Sequence, residues 1–92
     1  NMGDPVEDYD YTWYNHFDIA LSVNDPIMGT TDPPPSTYTK KAMDEWTITA
    51  MPNTGYTVDK WTVGGITYQV GGTTYKHYCW DTLPVVCVFK PV

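Results

Sequence analysis

Apolar and polar positions alternate along most of this chain. In HFDIALSV, Phe17, Ile19 and Leu21 share one parity while Asp18, Ala20 and Ser22 share the other. That is the two-residue period of a strand with one buried face. Upstream, Tyr9, Tyr11 and Trp13 alternate with Asp10 and Thr12, so the extended run reaches well past the usual strand of about 5–6 residues. EWTITAM sets Trp46, Ile48 and Ala50 against Thr47, Thr49 and Met51. Pro52 to Gly55 then turns the chain, and Tyr56 and Val58 share a face while Trp61 and Val63 take the opposite parity. That switch predicts a β-bulge or twist near Asp59 and Lys60. Gly64-Gly65 predicts a tight hairpin into ITYQV, Ile66 to Val70. Gly71-Gly72 turns again, and TYKHYCW (74–80) and VVCVFK (85–90) predict a final hairpin around DTLP.

Between the first two of these strands, Asn24-Asp25-Pro26 and Gly29 signal turns. Pro33, Pro34 and Pro35 favour a stiff polyproline stretch and forbid a central strand. Thr37 to Glu45 reads either as a helical turn or as a turn between short strands. The sum is a mostly β chain: a small antiparallel domain of six to seven short strands, β-grasp-like or a small β-sandwich, with an extended N-terminal strand. Residues 1–16 read as an acidic, aromatic leader and 17–92 as the β domain.

Composition agrees. The chain has 92 residues, 41% hydrophobic and 15% aromatic, too apolar for disorder and long enough for one packed domain. A net charge of −6 with five lysines and no arginine argues against a phosphate-tracking surface or docking on an anionic membrane. No apolar run reaches the length of a bilayer span. Asn1 opens the chain with no signal peptide, which fits a mature exported protein or a fragment of a longer one.

Four stretches in order then carry a resemblance: VNDPIMGT (23–30), WTITAMPNTGY (46–56), WTVGG (61–65), and Tyr75 leading to VVCVFKP (85–91). Over residues 17 to 92 the chain resembles the divergent internalin-type B-repeat of prokaryotic cell-surface proteins. The resemblance implies an extracellular, non-enzymatic module, built into tandem arrays on adhesins and stalks, with no catalytic residues to carry over. The chain departs from that pattern at Cys79, where valine is common, at Cys87, where a small residue is common, at the triple proline, and in its leader.

Candidate chemistry is sparse. Cys79 and Cys87 flank the DTLP turn, and on facing strands they would meet disulfide geometry. Such a bridge suits an exported domain and would contribute roughly 2–3 kcal/mol; the alternative is two buried free thiols. His16 and His77 have no ligand cluster at metal spacing and read as structural or surface residues. Asp4, Glu7, Asp8 and Asp10 match no calcium loop and read as solvated acids. No cofactor is implied. Thr30, Thr31, Ser36, Thr37 and Thr39 lie in a hydroxyl- and proline-rich run suited to O-glycosylation, or equally to a rigid polar loop. Phe17, Ile19, Leu21, Trp46, Ile48, Tyr56, Trp61 and Phe89 are the expected core anchors.

Tyr9, Tyr11, Trp13 and Tyr14 form an aromatic cluster suited to subunit contact. Strand addition to a neighbour's sheet edge is one use; folding back on its own sheet, or serving as a linker, is the other. The function expected is a building block of a surface stalk or filament, with self as partner. The alternative is an adhesin module binding a carbohydrate or receptor, with Trp13 or Trp80 stacking on sugar rings.

Overall fold

The computed structural model describes residues 16–92. The leader, with its expected contact residues Tyr9, Tyr11, Trp13 and Tyr14, lies outside the described residues. Eight strands follow one another: β1 (His16–Val23), β2 (Gly29–Asp32), β3 (Ser36–Lys41), β4 (Glu45–Pro52), β5 (Tyr56–Val63), β6 (Ile66–Val70), β7 (Thr74–Tyr78) and β8 (Val85–Pro91). They form a five-stranded sheet in the order β3-β1-β8-β5-β6 and a three-stranded sheet in the order β2-β4-β7. The domain is thus mostly β, as the alternation predicts, and takes the sandwich form. A β-grasp would need a helix, and none forms among the described residues.

Inward-facing residues of both sheets build one core. Ile19 and Leu21 of β1, Trp46, Ile48 and Ala50 of β4, Val58, Trp61 and Val63 of β5, Tyr75 of β7, and Val85, Cys87 and Phe89 of β8 are buried in it, with Cys79 just beyond β7. Phe17 packs half-buried against its edge. Tyr56, expected as an anchor, is only half-buried. It opens β5 directly after the turn, where its N–H bonds Asn53 O at 3.0 Å. The parity switch has the predicted cause: pairing with β8 slips between Val58 and Lys60, so Asp59 is a bulge and Trp61 turns inward. Gly64 and Gly65 make the expected hairpin with φ of 59° and 83°, the left-handed pair that a type I′ turn requires.

Two expectations need correction. First, β7 and β8 do not form a hairpin. β7 pairs with β4 in the smaller sheet, while β8 lies between β1 and β5 in the larger one. Cys79 and Cys87 therefore belong to opposing layers, and both are free thiols, fully buried. The alternative of two buried free thiols describes them. Second, the proline-rich segment hosts strands. β2 and β3 flank the three prolines, each at a sheet edge, the one place where a strand tolerates nearby proline. The strand count is eight for that reason. Within Thr37 to Glu45 the chain completes β3 and then turns tightly at Met43, whose φ is 71°.

Candidate functional site

One cleft of about 380 Å³ opens along the side where the two sheets end in β6 and β7. Tyr68, Gln69, Tyr75, Lys76, His77, Tyr78 and Trp80 line it. Among the described residues β6 pairs only with β5, and β7 only with β4, so within them each presents an unpaired backbone edge on this side.

Side-chain hydrogen bonds hold the Gly71-Gly72 crossing between the two sheets. Trp61 Nε1 donates to Gly72 O at 3.0 Å, and Gln69 Nε2 donates to Gly71 O and Thr74 O, both at 3.0 Å. Tyr68 is placed by an irregularity. The β5–β6 register passes from Trp61↔Gln69 to Thr62↔Thr67, so Tyr68 has no partner across the ladder, and it is 56% exposed. Strict alternation would give Gln69 the same face as Thr67; the slip instead puts it beside the inward Trp61.

On the opposite wall, β7 alternates cleanly. Tyr75 and His77 point in; Lys76 and Tyr78 point out. The Tyr75 ring stacks on Trp61 with centroids 5.3 Å apart. Its hydroxyl lies 3.1 Å from His77 Nδ1. Burial pushes the Tyr75 phenol up to about 12, with the neighbouring Tyr68 and Cys79 adding to it. Burial also pulls the His77 imidazole below its ordinary range, against a smaller opposing pull from Asp81. Both groups are therefore neutral near pH 7 and act through hydrogen bonding. His77 Nε2 is buried without a hydrogen-bond partner among the described residues. Tyr78 donates to Glu45 Oε2 at 2.7 Å, which holds its phenol above the ordinary value, and Lys76 Nζ lies 3.9 Å from Glu45 Oε1. Trp80, just past β7, is 60% exposed.

The cleft offers aromatic faces, amide and hydroxyl groups, and two strand edges. Among the described residues no three His, Cys, Asp or Glu side chains converge as a metal site. His16 sits exposed at the start of β1 and does not join His77. Of the expected glycosylation residues, Thr30, Ser36, Thr37 and Thr39 are exposed, and Thr39 donates to Asp18 Oδ1 at 2.7 Å. Thr31 is not available: it is 1% exposed and its hydroxyl donates to Pro33 O.

Sequence reading singled out Trp80 as a stacking residue and missed Tyr68, Gln69, Lys76 and Tyr78. The available signal was ITYQV itself, a short uncharged strand between two Gly-Gly pairs. No family model, curated protein or solved structure matches this chain.

Proposed function

We propose that this chain is a non-enzymatic extracellular structural module, a building block of a surface stalk or filament whose aromatic leader contacts a neighbouring copy. One observation carries the reading. β1 and β8 are parallel neighbours, with Leu21 level with Val85 and Val23 level with Cys87. The chain thus comes into the sandwich at one pole, where His16 pairs with Lys41. It leaves at the other, where Pro91 pairs with Tyr56. A module threaded from pole to pole joins its neighbours end to end, either in tandem or by non-covalent addition. Had β1 and β8 been antiparallel, both ends would emerge together and a linear array would need long connections.

The test is sedimentation velocity with negative-stain microscopy on the full chain and on a variant lacking residues 1–14. Concentration-dependent polymers from the full chain, and none from the variant, are expected. Equal behaviour of the two removes the leader from the joint.

Exposed Trp80 beside Tyr68 and Tyr78 favours a second reading, an adhesin module that stacks sugar rings in the cleft. Titration with oligosaccharides, followed by Trp80 fluorescence, checks it: a saturable change in a monomeric chain supports sugar binding, and no change at millimolar glycan removes it.

A further inference from the structure

Among the described residues the four strand edges of this sandwich are not equally protected. On one side, β2 is only four residues long and runs into Asp32 and three prolines. β3 ends in Lys40 and Lys41, and Lys40 Nζ sits 4.6 Å from the Trp46 ring centroid. Short length, proline and lysine are the devices that keep an edge from pairing with another chain. On the other side, β6 has no charge and no proline. Its Ile66, Tyr68 and Val70 are 66%, 56% and 81% exposed. β7 carries one lysine, engaged by Glu45. The unguarded pair of edges is the pair that frames the aromatic cleft.

A ligand fitting two strand edges is an extended chain, and one fitting an aromatic cleft carries rings at alternate positions. DYDYTW, Asp8 to Trp13, has that pattern: Tyr9, Tyr11 and Trp13 on one parity. At about 3.3 Å per residue it matches the five-residue length of β6 and β7. We propose that the Tyr9–Trp13 run of one copy docks in the β6–β7 cleft of the next, rings inward, extending the edges of its sheets. This rests on the assembly reading above and adds the receiving site to it.

Reach argues for a second copy. A strand added beyond β6 is separated from β1 by β8, β5 and β6, four spacings of about 4.8 Å, or about 19 Å. Trp13 is three residues from His16, where β1 begins, and three residues extend at most about 11 Å. The full run therefore cannot settle in the cleft of its own domain.

Two full-length variants test this. A donor-defective chain carries Tyr9→Ser, Tyr11→Ser and Trp13→Ser; an acceptor-defective chain carries Tyr68→Glu and Trp80→Glu, both at exposed positions. Each alone is expected to stay monomeric, at least tenfold less assembled than the parent chain. Mixed, they should form a 1:1 dimer and no polymer, since one intact leader meets one intact cleft. Polymers from the acceptor-defective chain alone would move the docking site elsewhere while leaving the leader as the joint. Polymers from the donor-defective chain would remove the leader itself, and the assembly reading with it. A parent chain that stays monomeric at all concentrations overturns both. So does a monomer whose cleft binds an oligosaccharide, or one whose own leader protects it. Hydrogen exchange on the assembled parent chain gives an independent readout if the glutamates disturb folding. Amides of Ile66–Val70 and Thr74–Tyr78 should be protected on assembly, and unchanged exchange there overturns the site.

Discussion

His77 and its neighbours set how the domain answers to pH. The folded chain holds the imidazole below its ordinary value of 6.5, chiefly by burial. Between that lowered value and 6.5 the unfolded chain binds a proton that the folded chain refuses, so stability rises with pH across the window and falls on acidification. The urea midpoint should drop as pH goes from 7 to 5, and His77→Gln should drop less. An equal drop would place the acid sensitivity elsewhere. At the alkaline end the sign reverses. Burial lifts Cys87 from 9.0 to about 12, and Tyr75 from 10.0 to about 12. Both contribute stability that is intact below about pH 9 and lost as pH rises towards 12. The buried thiols should also be inert. At pH 8 iodoacetamide should leave the native chain unmodified and alkylate both Cys79 and Cys87 in urea. No alkylation of either cysteine after unfolding would mean that the sulfurs are bonded to one another.

Among the elements, the join between β1 and β8 is extended by one side chain. Parallel pairing stops at Val23↔Cys87, and Asn24 continues it. Its Nδ2 donates to Phe89 O at 3.1 Å and its Oδ1 accepts from Phe89 N–H at 2.8 Å. Asn24→Ala leaves two part-buried backbone groups without those partners, which should cost about 1–3 kcal/mol in denaturant unfolding. A loss under about 0.5 kcal/mol would mean that water replaces the amide. Gly29 tests packing between the sheets. A Cβ there would lie 2.8 Å from Phe89 Cζ and from Met51 O, so Gly29→Ala should destabilise by about 1–3 kcal/mol through overpacking.

These elements also show what a sequence discloses. β1, β4 and β5 were legible because each buries one face, and period-two burial writes itself into residue type. The Asp59 bulge was legible because it breaks that period. β2 and β3 were not: β2 buries only Gly29 and Thr31, residue types that read as turn and polar loop, and β3 has no fully buried position. The cysteines misled for a related reason. Eight residues apart around a plausible turn, they suggest facing strands, yet the intervening chain crosses from one sheet to the other. Strand partners are decided by long-range packing, and β1 and β8 meet across most of the chain. The cleft inherits the same blindness, because its two walls are strands in different sheets.

At the scale of the whole molecule, the pole-to-pole path fixes a length. Val23 is level with Cys87; His16 stands seven residues before the first and Pro91 four beyond the second. Eleven steps of about 3.3 Å give about 35 Å between the points where the chain comes in and leaves. If modules join end to end with the leader lying along the cleft, the leader adds overlap and little length. Fibres should therefore show an axial repeat of about 35 Å in averaged micrographs, shortened somewhat by strand twist. A repeat near 80 Å would mean that the leader is an extended spacer between modules, with the cleft left for another ligand. If the chain forms such an array, charge bears on how readily it does so. Each copy carries −6, and a docked leader would bring Asp4, Glu7, Asp8 and Asp10 towards a neighbour of the same sign. Screening shortens from about 10 Å at 0.1 M salt to about 3 Å at 1 M, so salt should speed assembly. Light scattering after dilution into rising salt measures this directly. Faster assembly marks a joint held by backbone pairing and aromatic burial against charge repulsion. Slower assembly would mean that the leader is drawn in by Lys76 and its neighbours, and that ion pairing, not ring burial, sets the affinity.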